Sequence, residues 1–518
     1  MNLLRAASTI SLFTLASRVT GLGREIVVAA LFGAGASVDA FNVAFRIPNL
    51  LRRLFGEGAF TQAFVPVLAQ TRAVEGDAVT HRLIDAVATM LFWALVATVA
   101  VGVVASPIVV WLMGAGLARF DDAVVMTRWM FPYIGFISLV SLSSGILNTW
   151  KRFAVPAATP VLLNLSTIAA AWFLSPWLRA WGFEPIYSMA LGVLLGGVLQ
   201  LAIQLPALRA IDALPRVGLS WRAIRAARAH PGVGRVLKQM APALIGVSVA
   251  PLSIMINTQI ASHQGVGAVS WITYADRLME FPTALIGVAL GVVLVPQLSA
   301  AQGRADFDSY SSLLDWGLRL VLLLALPCTM ALLVFPQALI ATLFHHGKFG
   351  AEAVLQTAHA LVGYGVGLVG IIGVKILAPG YYARQDVGTP VRIAVIVLVL
   401  TQAMNLAFVP LFRHAGLTLS ISLGALINAA WLFVGLRRGG QYRPAPGWGL
   451  FALRVVFASA LLGALLGWAG QAVDWVELGS HGFRRAGLLT TFLLGAAALY
   501  FGTLLATGLK LRDFTRRG

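Results

Sequence analysis

Asp39, Asn42, Arg46, Asn49 and Arg53 recur at spacings of three, four, three and four inside an otherwise apolar stretch. At about 100° per residue they share one narrow face of a helix. Glu57 joins that face if the helix continues through Gly56. A neighbouring apolar run carries Arg18 and Arg24, with Gly21 and Gly23 between them, and Arg52 lies beside Arg53. Asp276, Arg277 and Glu280 form a second cluster, in which Arg277 and Glu280 stand at i and i+3 and can pair. An ionisable side chain at membrane depth is unfavourable by at least about 2.5–3.5 kcal/mol, so each of these residues is a candidate for function.

The chemistry they fit is recognition of charge rather than bond-making. In the first two runs Arg18, Arg24, Arg46, Arg52 and Arg53 outnumber Glu25, Asp39 and Glu57. A net positive cavity in a low-dielectric wall attracts anions. The planar guanidinium fork binds two phosphate oxygens at once and stays charged, so a diphosphate would offset several arginines together. The competing reading is that the arginines pair with these acids or extend to the headgroups. Arg18 and Arg24 point about 120° apart on an ideal helix, and Gly21 and Gly23 are expected to let it bend so that both face one cavity. Pro48 is expected to kink the next helix. Arg24→Ala is expected to abolish transport and leave the fold intact.

Lys375 sits mid-run in Gly373-Val374-Lys375-Ile376, as a gate, an ion-coupling group or one half of a structural pair. Arg319 and Arg392 are weaker candidates, and Asn257, Asn405 and Asn428 read as interhelical hydrogen-bond formers. There is no G-x-x-x-x-G-K-[ST] or H-E-x-x-H, and Cys328 is the single cysteine. Neither an ATP loop nor a metal set is encoded in a recognisable form, and no nucleophile stands with a base. No cofactor, no metal and no enzymatic activity are expected. The energy for transport then falls to an ion gradient, the membrane potential or removal of product.

The elements that position these residues must cross a bilayer. Of 518 residues, 59% are hydrophobic and 11% charged, against about 25% charged in a soluble domain. The apolar runs are long and unbroken, which favours helices over the alternating strands of a barrel. Fourteen spans are expected, near 9–32, 37–69, 82–113, 123–148, 157–175, 185–208, 237–262, 269–300, 310–343, 353–382, 389–411, 416–436, 449–471 and 485–508. The fold class is an all-α polytopic membrane protein.

The net charge of +18 resides mostly in short loops that share a side with the N-terminus, while the opposite loops hold only Arg119, Arg179, Lys348, Arg413, Arg484 and Arg485. The positive-inside rule therefore puts both termini in the cytoplasm, and nucleic acid is not an expected partner. The first residues are too weakly charged for a cleavable signal, so the first helix is expected to persist. The basic segment 209–238 has two readings: an orientation signal resting on anionic headgroups, or a docking site for a cytoplasmic partner.

An internal repeat runs at an offset of 230 residues. Phe64-Val65-Pro66-Val67-Leu68 matches Leu294-Val295-Pro296-Gln297-Leu298, Ile146-Leu147 matches Ile376-Leu377, and Thr159-Pro160-Val161 matches Thr389-Pro390-Val391. Pro107 pairs with Pro336 at 229. An offset of six helices keeps the two copies parallel, as in transporters that bind substrate between halves. The expected organisation is an N-lobe at 1–210, a basic linker at 211–236, a C-lobe at 237–438, two further helices within 449–508 and a tail at 509–518.

Four stretches also resemble one family. Ala16-Ser17-Arg18-Val19-Thr20-Gly21-Leu22-Gly23-Arg24 is similar to the first helix of the MurJ (MviN) family. Phe45-Arg46-Ile47-Pro48-Asn49-Leu50-Leu51-Arg52-Arg53-Leu54-Phe55-Gly56-Glu57-Gly58, Tyr274-Ala275-Asp276-Arg277-Leu278-Met279-Glu280-Phe281-Pro282 and Leu377-Ala378-Pro379-Gly380-Tyr381-Tyr382-Ala383-Arg384-Gln385-Asp386 resemble further family signatures. The likeness covers nearly the whole chain.

The resemblance implies a lipid II flippase of peptidoglycan synthesis in the bacterial inner membrane. It implies the multidrug/oligosaccharidyl-lipid/polysaccharide exporter fold: two six-helix lobes and two extra helices that help to take the polyprenyl tail. The family's functional positions match Arg18, Arg24, Asp39, Arg52, Arg53, Glu57, Arg277 and Glu280. Lipid II and membrane lipids are the expected partners, cell-wall synthesis enzymes are candidates, and the chain is expected to act as a monomer.

Overall fold

The computed structural model describes residues 3–52 and 60–509, and all regular structure among them is helical. Arg53 and Glu57 lie outside the described residues. In chain order the helices are α1 (Leu3–Phe32), α2 (Ala36–Leu51), α3 (Thr61–Glu75), α4 (Asp77–Gly114), α5 (Phe120–Thr149), α6 (Ala154–Ala180), α7 (Tyr187–Ala202), α8 (Gln204–Arg209) and α9 (Trp221–Ala229). They continue as α10 (Pro231–Ser262), α11 (Ala268–Gly303), α12 (Phe307–Val334), α13 (Pro336–Phe344), α14 (Ala351–Tyr382), α15 (Gly388–Phe412), α16 (His414–Arg438), α17 (Trp448–Ala472) and α18 (Gly482–Ala506).

Ten spans among the described residues are long and apolar enough to cross a membrane. Of the fourteen expected, the four outside this set are α1, α2 with α3, α10 and α11. Three of these four hold the charges singled out in the sequence. α4 exposes Val101, Val104 and Ile108, and α6 exposes Trp172, Trp177 and Trp181 towards its C-terminal end. Apolar side chains turned outward along a span, with tryptophans near its end, fit a lipid-facing surface and its interfacial belt.

The repeat extends to the helix boundaries. Adding 230 to α4 gives 307–344, the outer limits of α12 and α13. The same shift brings α1 onto α10, α5 onto α14, α6 onto α15 and α7 onto α16, each within a few residues. Packing repeats too: α5 lies against α4 and α7, as α14 lies against α12 and α16. α5 and α14 are the most buried of the candidate spans. α14 approaches α16 closely because a Cβ at Gly370 would fall 2.7 Å from the Leu426 amide nitrogen, the small-residue packing usual between membrane helices.

Residues 53–59 of the expected span at 37–69 lie outside the described residues. The copies differ where one helix of the first answers to two of the second. α4 runs through Pro107, whereas Phe335 separates α12 from α13 and Pro336 starts the new helix, where a missing N–H is tolerated.

Contacts divide the chain into two compact units, 1–269 and 270–518. The polar residues of α10 bond within the first unit. Thr258 takes a bond from Arg46, Gln259 Oε1 accepts from the Ala115 amide at 2.9 Å, and Ser262 Oγ accepts from the Gly116 amide at 3.1 Å. The segment 211–236 contains α9.

Candidate functional site: the intramembrane charges

The charged residues of the first unit lie on α1 and α2, and each has a definite local reason for its position. α1 is continuous through Gly21 and Gly23. Arg18 is exposed and Arg24 is 7% exposed, so the two differ in surroundings, as their separation of about 120° on a helix allows. α1 is fastened to α6 by Asn164, whose amide donates to the Ser17 carbonyl at 3.1 Å and to Thr20 Oγ1 at 3.2 Å.

Arg24 Nη2 meets Glu25 Oε1 at 2.6 Å, with both residues buried. The same guanidinium lies 5.4 Å from the centre of the Phe45 ring on α2, a cation–π distance that couples the two helices. Pairing with a neighbouring acid was the competing reading for the arginines, and for Arg24 the geometry includes such a pair.

Two polar groups of the α2 stripe bond to other elements. Asp39 stands in the first turn, 4% exposed, where a carboxylate is favoured by the helix dipole. Its Oδ2 accepts from the Gly267 amide at 2.6 Å. Gly267 has φ +95°, a backbone that only glycine adopts without strain. Asn42 is buried one turn on. Arg46 Nη1 donates to Thr258 Oγ1 of α10 at 2.6 Å. Asn49 Oδ1 accepts from Arg52 Nε at 3.0 Å and from Arg52 Nη2 at 2.7 Å. Asp39 and Arg46 of the stripe therefore bond to the loop after α10 and to α10, while Asn49 bonds to Arg52 at the end of its own helix.

In the second unit, Arg277 Nη1 and Glu280 Oε2 of α11 form the expected i, i+3 pair at 2.8 Å, and about a third of each side chain stays exposed. Lys375 of α14 lies against α11, where a Cβ at Gly287 would come 2.5 Å from its Cδ. Gly287 is seven residues after Glu280, so the lysine stem lies along the Arg277–Glu280 side of α11. The notch at Gly287 was not foreseen, because it is defined by a residue 88 positions away.

Two polar centres escaped the sequence reading. Asp315 of α12 is buried, and its Oδ1 accepts from Tyr442 Oη at 2.8 Å, the Ala445 amide at 3.0 Å and Trp448 Nε1 at 2.6 Å. Its Oδ2 pairs with Arg319 Nε at 2.8 Å. The i, i+4 spacing of Asp315 and Arg319 was the available signal.

Arg485, counted among the loop charges at the edge of the expected span 485–508, is fully buried in the first turn of α18. Its Nη2 donates to the His345 carbonyl at 3.0 Å, and its Nη1 lies 3.2 Å from His345 Nδ1. Burial, then the nearby Arg485 and His346, push the His345 imidazole below its ordinary 6.5. No cluster of three or more His, Cys, Asp or Glu is grouped for a metal among the described residues.

In the first unit the guanidinium groups of Arg24 and Arg46 are buried or half-buried, and in the second unit that of Arg277 is half-buried. A family model described as lipid II flippase MurJ matches residues 28–481. The lipid II flippase MurJ of Burkholderia cenocepacia is 54% identical over 522 residues, covering 100% of both chains. A protein of Vibrio cholerae named as a probable lipid II flippase MurJ is 39% identical, with 99% of this chain and 97% of that one covered.

Among solved structures, a lipid II flippase MurJ in an inward closed conformation gives a TM-score of 0.76 at 22% identity, over 96% of this chain and 99% of that one. An inward-facing multidrug resistance transporter of the MATE family gives 0.66 at 15% identity, over 82% and 94%. These structural likenesses speak for the fold, while the sequence relatives span the chain from end to end. The chain is a polytopic membrane transporter, and it belongs to the MurJ lipid II flippase family.

Proposed function

We propose that this protein moves lipid II, the undecaprenyl-diphosphate-linked disaccharide pentapeptide, from the cytoplasmic to the periplasmic leaflet of the bacterial inner membrane by alternating access. The observation that carries the proposal is 54% identity along the full length to a protein named lipid II flippase MurJ. The charges on α1, α2 and α11 are consistent with it, since the part of this lipid that resists the hydrocarbon is its anionic headgroup. The tail need never leave the apolar layer.

In this reading Arg18, Arg24, Arg52, Arg53 and Arg277 engage the diphosphate. Asp39, Glu57 and Glu280 orient those arginines or meet the sugar and peptide. Arg46 and Asn49 hold the α2 stripe in register, and Lys375 acts as a gate or ion-coupling group. Both termini lie in the cytoplasm, and the chain works as a monomer without a cofactor.

Lipid II binding to the purified full-length protein, compared with Arg18→Ala and Arg277→Ala, tests this. Loss of a charge-assisted contact is worth about 1.5–3 kcal/mol, so each variant should bind on the order of 10- to 100-fold more weakly. Unchanged binding in both variants contradicts the role of these arginines. Absence of binding to the wild type contradicts the substrate.

A further inference from the structure

The chain between α8 and α10 is a strap fixed across α4. The Arg216 amide donates to Asp85 Oδ1 at 2.7 Å, and the Gly218 amide donates to Thr89 Oγ1 at 3.0 Å. Trp93 Nε1 donates to the Gly218 carbonyl at 3.0 Å. Asp85, Thr89 and Trp93 stand one turn apart on a single face of α4. Close approach at Gly218 requires glycine, since any Cβ there would collide with the Ala223 methyl. Ala213 and Ala227 are buried in one cluster with Leu83, Ile84 and Val87. Ser220 Oγ caps α9 by accepting from the Ala223 amide at 3.2 Å.

The outer surface of this strap is unlike a solvated linker. Arg222, Arg225 and Arg228 are exposed and have no carboxylate partner among the described residues. Spaced three apart, they spread over about 120° of the helix surface. Beside them Leu219 is 71% exposed and Trp221 is 69% exposed. The strap crosses α4 between Asp85 and Trp93, where the charged start of the helix gives way to the apolar run from Leu91. From Trp93 to the end of α4 at Gly114 the helix rises about 32 Å, close to the hydrocarbon thickness of about 30 Å. The three arginines are thus held at headgroup depth, and the leucine and tryptophan lie at the boundary favoured by amphipathic anchors.

A basic segment used only to set orientation would need neither three bonds to α4 nor an exposed tryptophan. We infer that the strap is a recognition surface for anionic phospholipid: Arg222, Arg225 and Arg228 bind headgroup phosphates of the adjoining leaflet, with Leu219 and Trp221 seated at the glycerol level. Arginine is suited to this because its fork engages two phosphate oxygens. The inference is independent of the lipid II assignment, since these residues are not among those that engage the transported headgroup.

The test uses the full chain in nanodiscs of phosphatidylcholine with or without phosphatidylglycerol, followed by mass spectrometry of the lipids that stay bound. Wild type should retain phosphatidylglycerol in preference to phosphatidylcholine, and the preference should weaken as salt screens it. The triple variant Arg222→Gln, Arg225→Gln, Arg228→Gln should lose the preference at least several-fold. Each cation near an anionic surface is worth about fivefold, which sets an upper bound on the order of 100-fold for three. The corresponding triple lysine variant should keep part of it, which separates lost charge from a disturbed fold. Equal retention of phosphatidylglycerol by the glutamine variant, or no preference in the wild type, overturns the inference. Impaired transport with unchanged retention in the glutamine variant also overturns it and assigns the surface to a protein partner.

Discussion

Arg24 and Glu25 are neighbours in sequence, and their side chains meet at 2.6 Å in a buried setting. That contact changes what a mutation at Arg24 does. Arg24→Ala removes the charge-assisted contact to the Glu25 carboxylate, so it should lower stability by about 1.5–3 kcal/mol as well as transport. Arg24→Met combined with Glu25→Gln should unfold nearer to the wild-type temperature in detergent and still fail to transport. A double variant as unstable as Arg24→Ala would contradict the pairing. Gly267→Ala should be destabilising by about 1–2 kcal/mol, because its φ of +95° is strained for any other residue and its amide holds Asp39. The sequence was enough to mark Arg24, Asp39 and Arg46 as charges out of place, because composition and period alone reveal that. Their partners were not legible, since Asp39 reaches Gly267 and Arg46 reaches Thr258 across more than 200 residues.

Helix boundaries were the most readable feature, because apolar run length is set directly by bilayer thickness. The run at 123–148 is α5 at 120–149, and the run at 416–436 is α16 at 414–438. What run length could not show is which helix packs with which. α10 begins the second repeat, yet its Thr258, Gln259 and Ser262 bond within the first unit. The Asp315 centre is another non-local case, joining α12 to the segment before α17 through Tyr442, Ala445 and Trp448. Asp315→Ala leaves Arg319 without its closest carboxylate and frees three donors, and it should cost about 3–5 kcal/mol. Limited proteolysis should then cut first between 439 and 447. A cleavage pattern identical to wild type would contradict the role of Asp315 as the anchor of that segment.

For the whole molecule, acidity should weaken the contact between the end of α13 and the start of α18. His345 faces Arg485 and His346, and its imidazole is held below 6.5, first by burial. The folded state then binds fewer protons than the unfolded chain, so this stability is complete above about 6.5 and declines as the pH falls below it. The melting temperature should drop on that side, and His345→Gln should flatten the drop. Overlapping curves for the two proteins would contradict this.

The central claim, a lipid II flippase working through intramembrane arginines, meets its most direct test in cells depleted of their native flippase. The measurement is lipid II reaching the periplasmic leaflet, with this protein, Arg18→Ala and Arg277→Ala compared at matched membrane levels. The account predicts translocation by the wild type and its loss in both variants. Translocation by all three would contradict the arginine mechanism, and translocation by none would contradict lipid II as the substrate.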